Sequence, residues 1–379
     1  MSKNSSYITL EITNTIDDFV GDPLFAIGSF NNWNPKGDRI GIVPPKGETT
    51  SVLLKNINTN NLEFKITRGN WKALSCDKNG KLLESYTLNS KEDSNIKIII
   101  EAWRDQFPSS TASPQVELLH SAFYFPKLDS HKKIWIYLPE DYQNTTKRYP
   151  VIYMHDGQFL FDEATAHGKK GPIEWQVDKT INASPNKAIV VAIESAINPE
   201  ARKKEYLIHK SEWVSSPLGL RYLHDIVYSL KPYIDKTFLT QSSSIYTAIV
   251  GSSLGGLLSL YAGLHFPEVF GNVGVLSPSI WMDDKEKLKH TIKAYFPNKD
   301  KKELKQNYFF YGGNLEQRSN AEIPVNMIEN IREISDLLKK QNNISIEIQL
   351  NPNGKHGARY WQKIFPEFYS WWHSIISLD

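Results

Sequence analysis

The pattern of the sequence changes once, near residue 110, and this change constrains the fold more than any other feature. Beyond it, β-branched and aromatic runs of strand length alternate with longer segments whose apolar residues recur at helical spacing. Strands are predicted at 150–155, 188–193, 244–250 and 344–350, and a helix at 222–238. Strands that alternate with helices are typical of a mostly parallel sheet flanked by helices. The sequence therefore predicts an α/β fold for this part of the chain.

The first hundred residues have a different pattern. Short apolar or alternating runs at 24–27, 51–54, 62–67 and 96–100 are separated by clusters of Asn, Gly and Pro, without a helical period. Such runs are typical of a small β-sandwich. A Ser- and Pro-rich stretch then has the composition of a linker. We predict a β-sandwich over residues 1–107, a linker over 108–116 and an α/β domain over 117–379.

Composition argues against several classes of function. The 379 residues carry 44 Lys and Arg against 42 Asp and Glu, a net charge of +2, which gives no electrostatic attraction to nucleic acid or to an anionic membrane. A single cysteine, Cys76, can form no internal disulfide, and we expect it to pack inside the β-domain. Residues 1–6 lack the apolar stretch of a secretory signal, and no later run has the length of a membrane span. We expect a cytoplasmic protein, or a secreted or periplasmic one if a signal has been removed.

The sequence GSSLG at 251–255 lies between a predicted buried strand and a predicted helix and fits the pattern G-x-S-x-G. The turn is so tight that the residues two before and two after the serine must be very small. Ser253 meets this condition, whereas Ser252 would have larger neighbours at these offsets. Such a turn holds the hydroxyl clear of the sheet and places the Leu254 amide where an oxyanion would form. Ser253 is the predicted nucleophile, although the glycines could instead serve only close packing.

A serine hydroxyl needs a base to become a nucleophile, and the expected chain order is serine, acid, histidine. Two histidines follow the later strands. His356 lies in the loop after the strand at 344–350, from which it can reach over the sheet edge, and it is the predicted general base. His373 lies in the terminal helix beside two tryptophans, where a packing or surface role is expected.

The third member of the triad should follow the strand predicted at 308–311. Glu316 lies in that loop, and a buried carboxylate there would fix the imidazole tautomer and stabilise the imidazolium. Other acidic residues in this part of the chain stay open as alternatives: Asp283, Asp284 and Asp336.

The second oxyanion donor should come from the loop after the strand at 150–155. The backbone amide of Gln158 or of Phe159 could serve, with Asp156 and Gly157 shaping the turn. A purely structural turn is the alternative for His155 and Asp156.

Several segments in this order resemble one esterase family: IYLPEDY at 136–142, HDGQFLFD at 155–162, GSSLGG at 251–256 and KH at 355–356. The family contains enterochelin esterases, feruloyl esterases and esterase D, and the resemblance covers roughly residues 115–375. It implies an α/β-hydrolase fold, with Ser253 and His356 as catalytic residues and no metal or organic cofactor. The position of the acid departs slightly from the family pattern, since relatives often carry it one residue nearer the glycine than Glu316.

The same resemblance implies where substrate binds. Arg202 and Glu205 match an Arg-x-x-Glu stretch near the mouth of the active site in relatives, with a surface ion pair as the alternative reading. Asp156 and Trp281 complete the set of candidate substrate-binding residues.

The N-terminal segments AIGSFNNW at 26–33 and FKITRGNW at 64–71 resemble glycogen- and starch-binding modules, which have an early-set immunoglobulin-like sandwich. The resemblance implies that Trp33 and Trp71 are candidates for stacking on sugar rings, since an aromatic face matches the apolar face of a pyranose. In many such modules these tryptophans are instead partly core.

Together these features predict a serine carboxylic-ester hydrolase that acts through an acyl-enzyme on a small-molecule or saccharide ester. The pendant β-domain favours a carbohydrate ester of an acetyl or hydroxycinnamoyl group. Siderophore esters are the alternative substrate, and a non-catalytic carbohydrate-binding protein is the opposing class. Transfer of the acyl group to an acceptor other than water would use the same residues. Neither the acyl group nor the oligomeric state follows from the sequence.

Overall fold

A computed structural model describes residues 8–54, 61–89, 95–166, 171–295, 304–318, 325–341 and 343–377. The chain divides into two compact units. The first contains the residues up to Thr111 together with 171–173, and the second contains Ala112–Ala166 and the chain from Glu174 onward. Residues 1–6, which bear on the localisation expectation, lie outside the described ranges.

The N-terminal unit is built of short strands. Within the described ranges these are β1 (Ile8–Asn14), β2 (Pro23–Gly28), β3 (Asp38–Ile42), β4 (Thr49–Leu54), β5 (Asn61–Thr67), β6 (Ser75–Cys76), β7 (Tyr86–Asn89), β8 (Asn95–Ile100) and β9 (Ala102–Trp103). They form a three-stranded sheet β4–β1–β8, a four-stranded sheet β3–β2–β5–β7 and the pair β6–β9. β1 and β8 run parallel, and the other pairs run antiparallel.

The two larger sheets of this unit share one buried cluster. Leu10 of β1, Phe64 of β5 and Trp103 of β9 all belong to it. Two sheets around one core make up the predicted small β-sandwich, which is thereby confirmed. Cys76 is buried in a neighbouring cluster, as expected of a packed thiol.

The second unit contains one large sheet and a two-stranded hairpin, β17–β18. The strands are β10 (Val116–Phe125), β11 (Ser130–Tyr137), β12 (Val151–Met154), β13 (Ile189–Ile193), β14 (Thr247–Ser252), β15 (Asn272–Leu276), β16 (Gln306–Gly313), β17 (Gln317–Arg318), β18 (Val325–Asn326) and β19 (Ile344–Asn351). The order of the large sheet is β10–β11–β13–β12–β14–β15–β16–β19. β10 and β11 are antiparallel to their neighbours, and every pair from β13 to β19 is parallel. The predicted mostly parallel sheet is confirmed.

Helices cover both faces of this sheet. They are α1 (Val177–Ala183), α2 (Pro199–Tyr206), α3 (Gly219–Asp225), α4 (Lys231–Thr237), α5 (Leu254–His265), α6 (Lys285–Tyr295), α7 (Met327–Lys339) and α8 (Ala358–Ile376). Successive side chains of a strand point to opposite faces, so β12 sends Val151 and Tyr153 into one core and Ile152 and Met154 into the other. Burial on both faces explains why its sequence is an unbroken apolar run.

Several boundaries differ from the sequence-based expectation. The helix expected at 222–238 begins at Gly219 and contains a π-helical segment, Ile226–Leu230, between α3 and α4. Residues 244–246 form a 3₁₀ turn, so β14 begins only at Thr247. β1 and β10 were not predicted, and β10 takes the last residue of the expected linker.

No helix in the described ranges has both the length and the apolarity needed to cross a bilayer. The carboxyl ends of β12, β14, β15, β16 and β19 lie along one edge of the sheet, because these strands are parallel. Loops at that edge of an α/β sheet are where binding sites are built.

Candidate active site

Ser253 lies at the sharp turn between β14 and α5. Its backbone has φ 57° and ψ −121°, a strained conformation for a residue with a side chain. A Cβ atom on Gly251 would lie 2.5 Å from the backbone of Gly255, and one on Gly256 would lie 2.7 Å from the Leu276 carbonyl oxygen. Backbone packing therefore requires the glycines at 251 and 256, and the turn leaves the Ser253 side chain partly exposed above the sheet.

The structure brings Ser253, His356 and Glu316 together. His356 Nε2 lies 3.0 Å from Ser253 Oγ, and His356 Nδ1 lies 2.8 Å from Glu316 Oε2. A carboxylate can only accept, so Nδ1 carries the proton and Nε2 is left to accept from the serine hydroxyl. The Glu316 side chain is 0% exposed, whereas that of His356 is 34% exposed.

The buried Glu316 carboxylate is held by two further donors. The Ser277 hydroxyl and the Gly313 amide both donate to Oε1, each at 2.8 Å. The indole Nε1–H of Trp361 donates to Ser277 Oγ at 3.1 Å, and its ring lies edge-on to His356 with centroids 5.1 Å apart. Sequence reasoning missed Ser277 and Trp361. The polar run directly after β15 was the available signal for Ser277.

The loops that carry the acid and the histidine touch backbone to backbone. A Cβ atom on Gly313 would lie 2.3 Å from the Gly354 carbonyl oxygen. The Leu315 amide donates to that same oxygen at 2.9 Å, and the Asn314 amide donates to the Asn351 carbonyl at 2.9 Å. The two loops leave the neighbouring strands β16 and β19 and act as one support for the Glu316–His356 pair.

The alternative acids have partners elsewhere. Asp283 accepts from the Ile208 and His209 amides at 3.2 and 3.0 Å. Asp284 lies 3.4 Å from Lys287 and Asp336 lies 3.8 Å from Lys339. His373 is buried against Tyr369 and Trp372, and this burial lowers its pKa to about 4, so it is a neutral packed residue.

The turn after β12 distinguishes the two candidate oxyanion donors. The Phe159 amide donates to the Asp156 carbonyl at 2.9 Å, so it is not free to donate to an oxyanion. For the Gln158 amide, no acceptor occurs in the part of the chain that the structure describes. The Gln158 side chain is held by Ser195, with Nε2 2.8 Å from Ser195 Oγ. Leu254 is the first residue of α5, where amides have no partner within the helix.

Arg202 and Glu205 are not paired with each other. Arg202 binds the Asp156 carboxylate at two points, with Nε–Oδ1 2.6 Å and Nη2–Oδ2 2.7 Å. Burial alone would raise the pKa of the Asp156 carboxyl, but the adjacent Arg202 outweighs it and the net shift is downward. Glu205 instead pairs with the buried Lys132 at 2.5 Å and accepts from the Ala196 amide at 3.2 Å. The alternative of a surface ion pair between Arg202 and Glu205 is therefore wrong.

Beneath the serine turn lies His155, with Nδ1 3.3 Å from the Tyr222 hydroxyl. Its Cδ2 atom lies 2.9 Å from the position of a Cβ on Gly251. Burial lowers its pKa to about 4, so the ring is neutral and supports the turn from below.

Two pairs of tryptophans bear on the binding predictions. Trp281 meets Trp213 edge to face, with ring centroids 5.5 Å apart, and Trp213 is 37% exposed. In the N-terminal unit, Trp33 and Trp71 are stacked on each other with centroids 6.5 Å apart and both are partly buried. Across the described ranges, no cluster of three or more His, Cys, Asp or Glu side chains could hold a metal ion.

Comparison with known proteins identifies relatives of the second unit. A family model described as "Putative esterase" matches residues 126–371. The Bacillus subtilis protein YbbA, itself uncharacterized, is 24% identical over 253 residues, covering 64% of this chain and 92% of the relative. The iron(III) enterobactin esterase of Escherichia coli K12 is 26% identical over 169 residues, 45% of this chain and 38% of the relative. The endo-1,4-beta-xylanase/feruloyl esterase of Xylanibacter ruminicola is 27% identical over 166 residues, 42% of this chain and 21% of the relative.

Solved structures share the fold. The IroE-like serine hydrolase of Shewanella oneidensis has a TM-score of 0.52 at 20% identity, covering 68% of this chain and 80% of that one. The enterobactin esterase FES of Shigella flexneri has a TM-score of 0.52 at 15% identity and covers 100% of this chain and 94% of that one. These likenesses agree with the strand order above, and the fold is the α/β-hydrolase fold.

Proposed function

The chain belongs to this esterase family and is therefore an esterase, and on that premise we propose that it is a serine hydrolase of carboxylic esters that acts through an acyl-enzyme. One observation carries the proposal. Ser253 Oγ, His356 and Glu316 form a continuous hydrogen-bonded series, with 3.0 Å at the serine and 2.8 Å at the acid. Such a series supplies a base to a hydroxyl that is unreactive at its ordinary pKa. The family assignment argues against the alternative of a non-catalytic carbohydrate-binding protein.

Acylation follows from these contacts. The Ser253 proton moves to His356 Nε2 while Oγ bonds to the ester carbonyl carbon, and the carbonyl π electrons move onto its oxygen. In this proposal the amides of Leu254 and Gln158 donate to the oxyanion. Glu316 holds Nδ1–H and stabilises the imidazolium. His356 then gives its proton to the alcohol oxygen as the old C–O bond breaks, and the acyl group stays on Ser253.

Deacylation repeats the same steps with water as the nucleophile. Water gives a proton to His356 and bonds to the acyl carbon, and Ser253 Oγ takes the proton back as it leaves. The carboxylic acid departs and the resting enzyme is restored. An acceptor other than water would give acyl transfer by the same residues.

We propose an acetyl or hydroxycinnamoyl ester of a carbohydrate as one substrate class, supported by the feruloyl esterase relative. A siderophore ester is equally supported, because enterobactin esterase relatives match in sequence and one solved example aligns with the whole chain. Arg202 and Trp281 stay predicted substrate contacts. Glu205 is a weaker candidate, since both of its carboxylate oxygens have protein partners.

The decisive experiment compares wild type with Ser253→Ala on p-nitrophenyl acetate, methyl ferulate and an iron-free tris-catecholate trilactone. The matched control is Ser252→Ala, which removes the other hydroxyl of the same motif. We expect Ser253→Ala to lose hydrolysis of every ester while circular dichroism stays unchanged, and Ser252→Ala to keep it. The ester with the highest kcat/KM identifies the substrate class. Hydrolysis that survives in Ser253→Ala would contradict the proposed mechanism.

Sugar binding by Trp33 and Trp71 is a separate proposal for the N-terminal unit. A pyranose would stack on this partly buried pair of rings, whose centroids lie 6.5 Å apart. Calorimetric titration of the full chain with maltoheptaose and xylohexaose tests it. We expect Trp71→Ala to weaken binding, and a titration without heat in wild type would rule these sugars out.

A further inference from the structure

Ser279 lies directly against the proposed nucleophile, and the reaction as described above does not use it. Its Oγ is 3.0 Å from Ser253 Oγ, and the residue is only 2% exposed. It follows β15, the neighbour of β14 in the sheet, and its amide donates to the Ser253 carbonyl at 3.0 Å. One contact to the main chain and one to the side chain therefore hold Ser279 beside Ser253.

Local structure does not explain why this residue is a serine. Ser279 precedes the 3₁₀ turn Ile280–Met282, where a serine side chain commonly accepts a bond from an amide of the turn. Here its side chain makes no such capping bond. Among the residues that the structure describes, the hydrogen-bond partner of its Oγ is Ser253. The hydroxyl therefore serves the nucleophile and not the start of the turn.

A count of protons fixes the direction of this bond. Each serine hydroxyl has one proton, and each oxygen can accept twice. The proton on His356 Nδ1 is bound to the Glu316 carboxylate, so Nε2 must accept the Ser253 proton. Ser253 has no proton left for Ser279. Ser279 must therefore be the donor and Ser253 Oγ the acceptor.

We propose that Ser279 is a further catalytic residue, whose hydroxyl donates to Ser253 Oγ, fixes its rotamer and stabilises the charge that develops on this oxygen. The inference rests on the proposed function of Ser253. Without Ser279, the Ser253 side chain could rotate among staggered positions, of which one faces His356. With it, one lone pair of Oγ is occupied by a fixed donor and the other is free to attack.

The bond acts in both halves of the reaction. Negative charge develops on Oγ while its proton moves to His356, and again when Oγ leaves the acyl group during deacylation. The Ser279 hydroxyl keeps its own proton throughout, so the reaction balances without it. The bond is present in the resting site and strengthens as charge develops on Oγ, so its loss should lower kcat and kcat/KM together with little change in KM.

The test uses the full chain with Ser279→Ala, and with the isosteric pair Ser279→Thr and Ser279→Val, in which only Thr keeps a hydroxyl. The control is Ser259→Ala, a buried serine whose Oγ bonds the Gly255 carbonyl at 2.9 Å. Two rates are measured: steady-state hydrolysis of p-nitrophenyl acetate, and inactivation by a fluorophosphonate, which needs only attack by Ser253. We expect Ser279→Ala to slow both about tenfold, as for one lost hydrogen bond to a group that becomes charged.

The outcomes separate the two proposals. If Ser253→Ala is inactive while Ser279→Ala reacts at the wild-type rate in both assays, the role of Ser279 is overturned and the proposed function stands. If Ser253→Ala stays active, the proposed function itself fails. Should Ser279→Ala not fold, the Thr and Val variants decide: a faster Thr variant supports the proposal, and equal rates overturn it.

Discussion

Arg202 and Asp156 form a two-point ion pair, with Nε–Oδ1 2.6 Å and Nη2–Oδ2 2.7 Å, at the turn that carries the Gln158 amide. Asp156 has φ 58°, so its backbone conformation is costly and must be held by its surroundings. The pair thus links α2 to the turn that we propose as the second half of the oxyanion site.

Replacing Arg202 tests this link. We expect Arg202→Gln to lower the free energy of unfolding by about 2 kcal/mol, because the mostly buried Asp156 carboxylate loses its partner. Activity should fall about tenfold as the turn loosens. Urea unfolding and kcat measure the two effects. The double variant Arg202→Gln/Asp156→Asn should lose less stability than the sum of the single changes. Strict additivity would show that the pair does not couple these positions.

Glu316→Gln tests the identity of the acid. The amide N–H₂ of glutamine would donate to His356 Nδ1 and force the proton onto Nε2, where it cannot accept from Ser253. We expect kcat to fall about 10³-fold with folding retained. Asp336→Asn, at an alternative acid on the exposed surface of α7, serves as the control and should keep wild-type kcat. An active Glu316→Gln enzyme would return the assignment to the alternatives.

Ser277 provides a finer test of the acid's surroundings. Ser277→Ala removes one of two donors to Glu316 Oε1 and should lower kcat about fivefold, the size expected for one hydrogen bond to a charged group. Trp361→Phe keeps a ring beside His356 but removes the indole donor to Ser277. A smaller loss is expected there, and a larger loss than in Ser277→Ala would mean that ring packing dominates.

The buried carboxyl of Glu174 should make stability depend on pH. Burial raises its pKa to about 8, and the negative charge of nearby Asp178 adds to this rise. The hydrogen bond from the Gln176 amide lowers the pKa but does not outweigh burial. The folded chain therefore keeps a proton that the unfolded chain loses above its ordinary pKa. The contribution of Glu174 to the free energy of unfolding is at its maximum below about pH 4.5 and decreases as the pH rises from about 4.5 to about 8. It levels off above that range.

Glu174→Gln isolates this contribution. The neutral amide can accept the same Gln176 bond, so the variant should match wild type at pH 5. At pH 9 its Tm should be higher by about 3 °C or more. Thermal unfolding at pH 5, 7 and 9 measures the difference. A constant offset at all three values would mean that Glu174 does not titrate in this range.

Features that depend only on residues near one another in the sequence were predictable. The alternation of strands and helices depends on local apolar spacing, and the serine turn depends on glycines at fixed offsets from Ser253. Both are dictated by backbone geometry within a few residues. Because the predicted strands are parallel, the loops after β14, β16 and β19 were expected at one edge of the sheet. For these reasons the mostly parallel sheet and the proximity of Ser253, Glu316 and His356 could be predicted from the sequence.

Features that depend on distant partners were not predictable. Glu205 follows Arg202 by three residues, yet its partner is Lys132 on β11, and no local pattern reveals that pairing. Ser277 and Ser279 gain their contacts only because β15 lies beside both β14 and β16. β10 was missed because most of its residues are partly or fully exposed, so its apolar pattern is weak.

The contact between Gly313 and Gly354 has a consequence for how this chain can change over evolutionary time. These two positions join the loops of the acid and the histidine at their base, where any added side chain would collide with backbone. The chain between them contains Glu316, α7 and all of β19, and substitutions at exposed positions of α7 should leave the proposed catalytic pair in place. Saturation mutagenesis should find both glycines as intolerant as the proposed triad, whereas exposed positions of α7 such as Asp336 should tolerate substitution. Two glycines outside the proposed triad would thus limit which sequence changes this enzyme can accept.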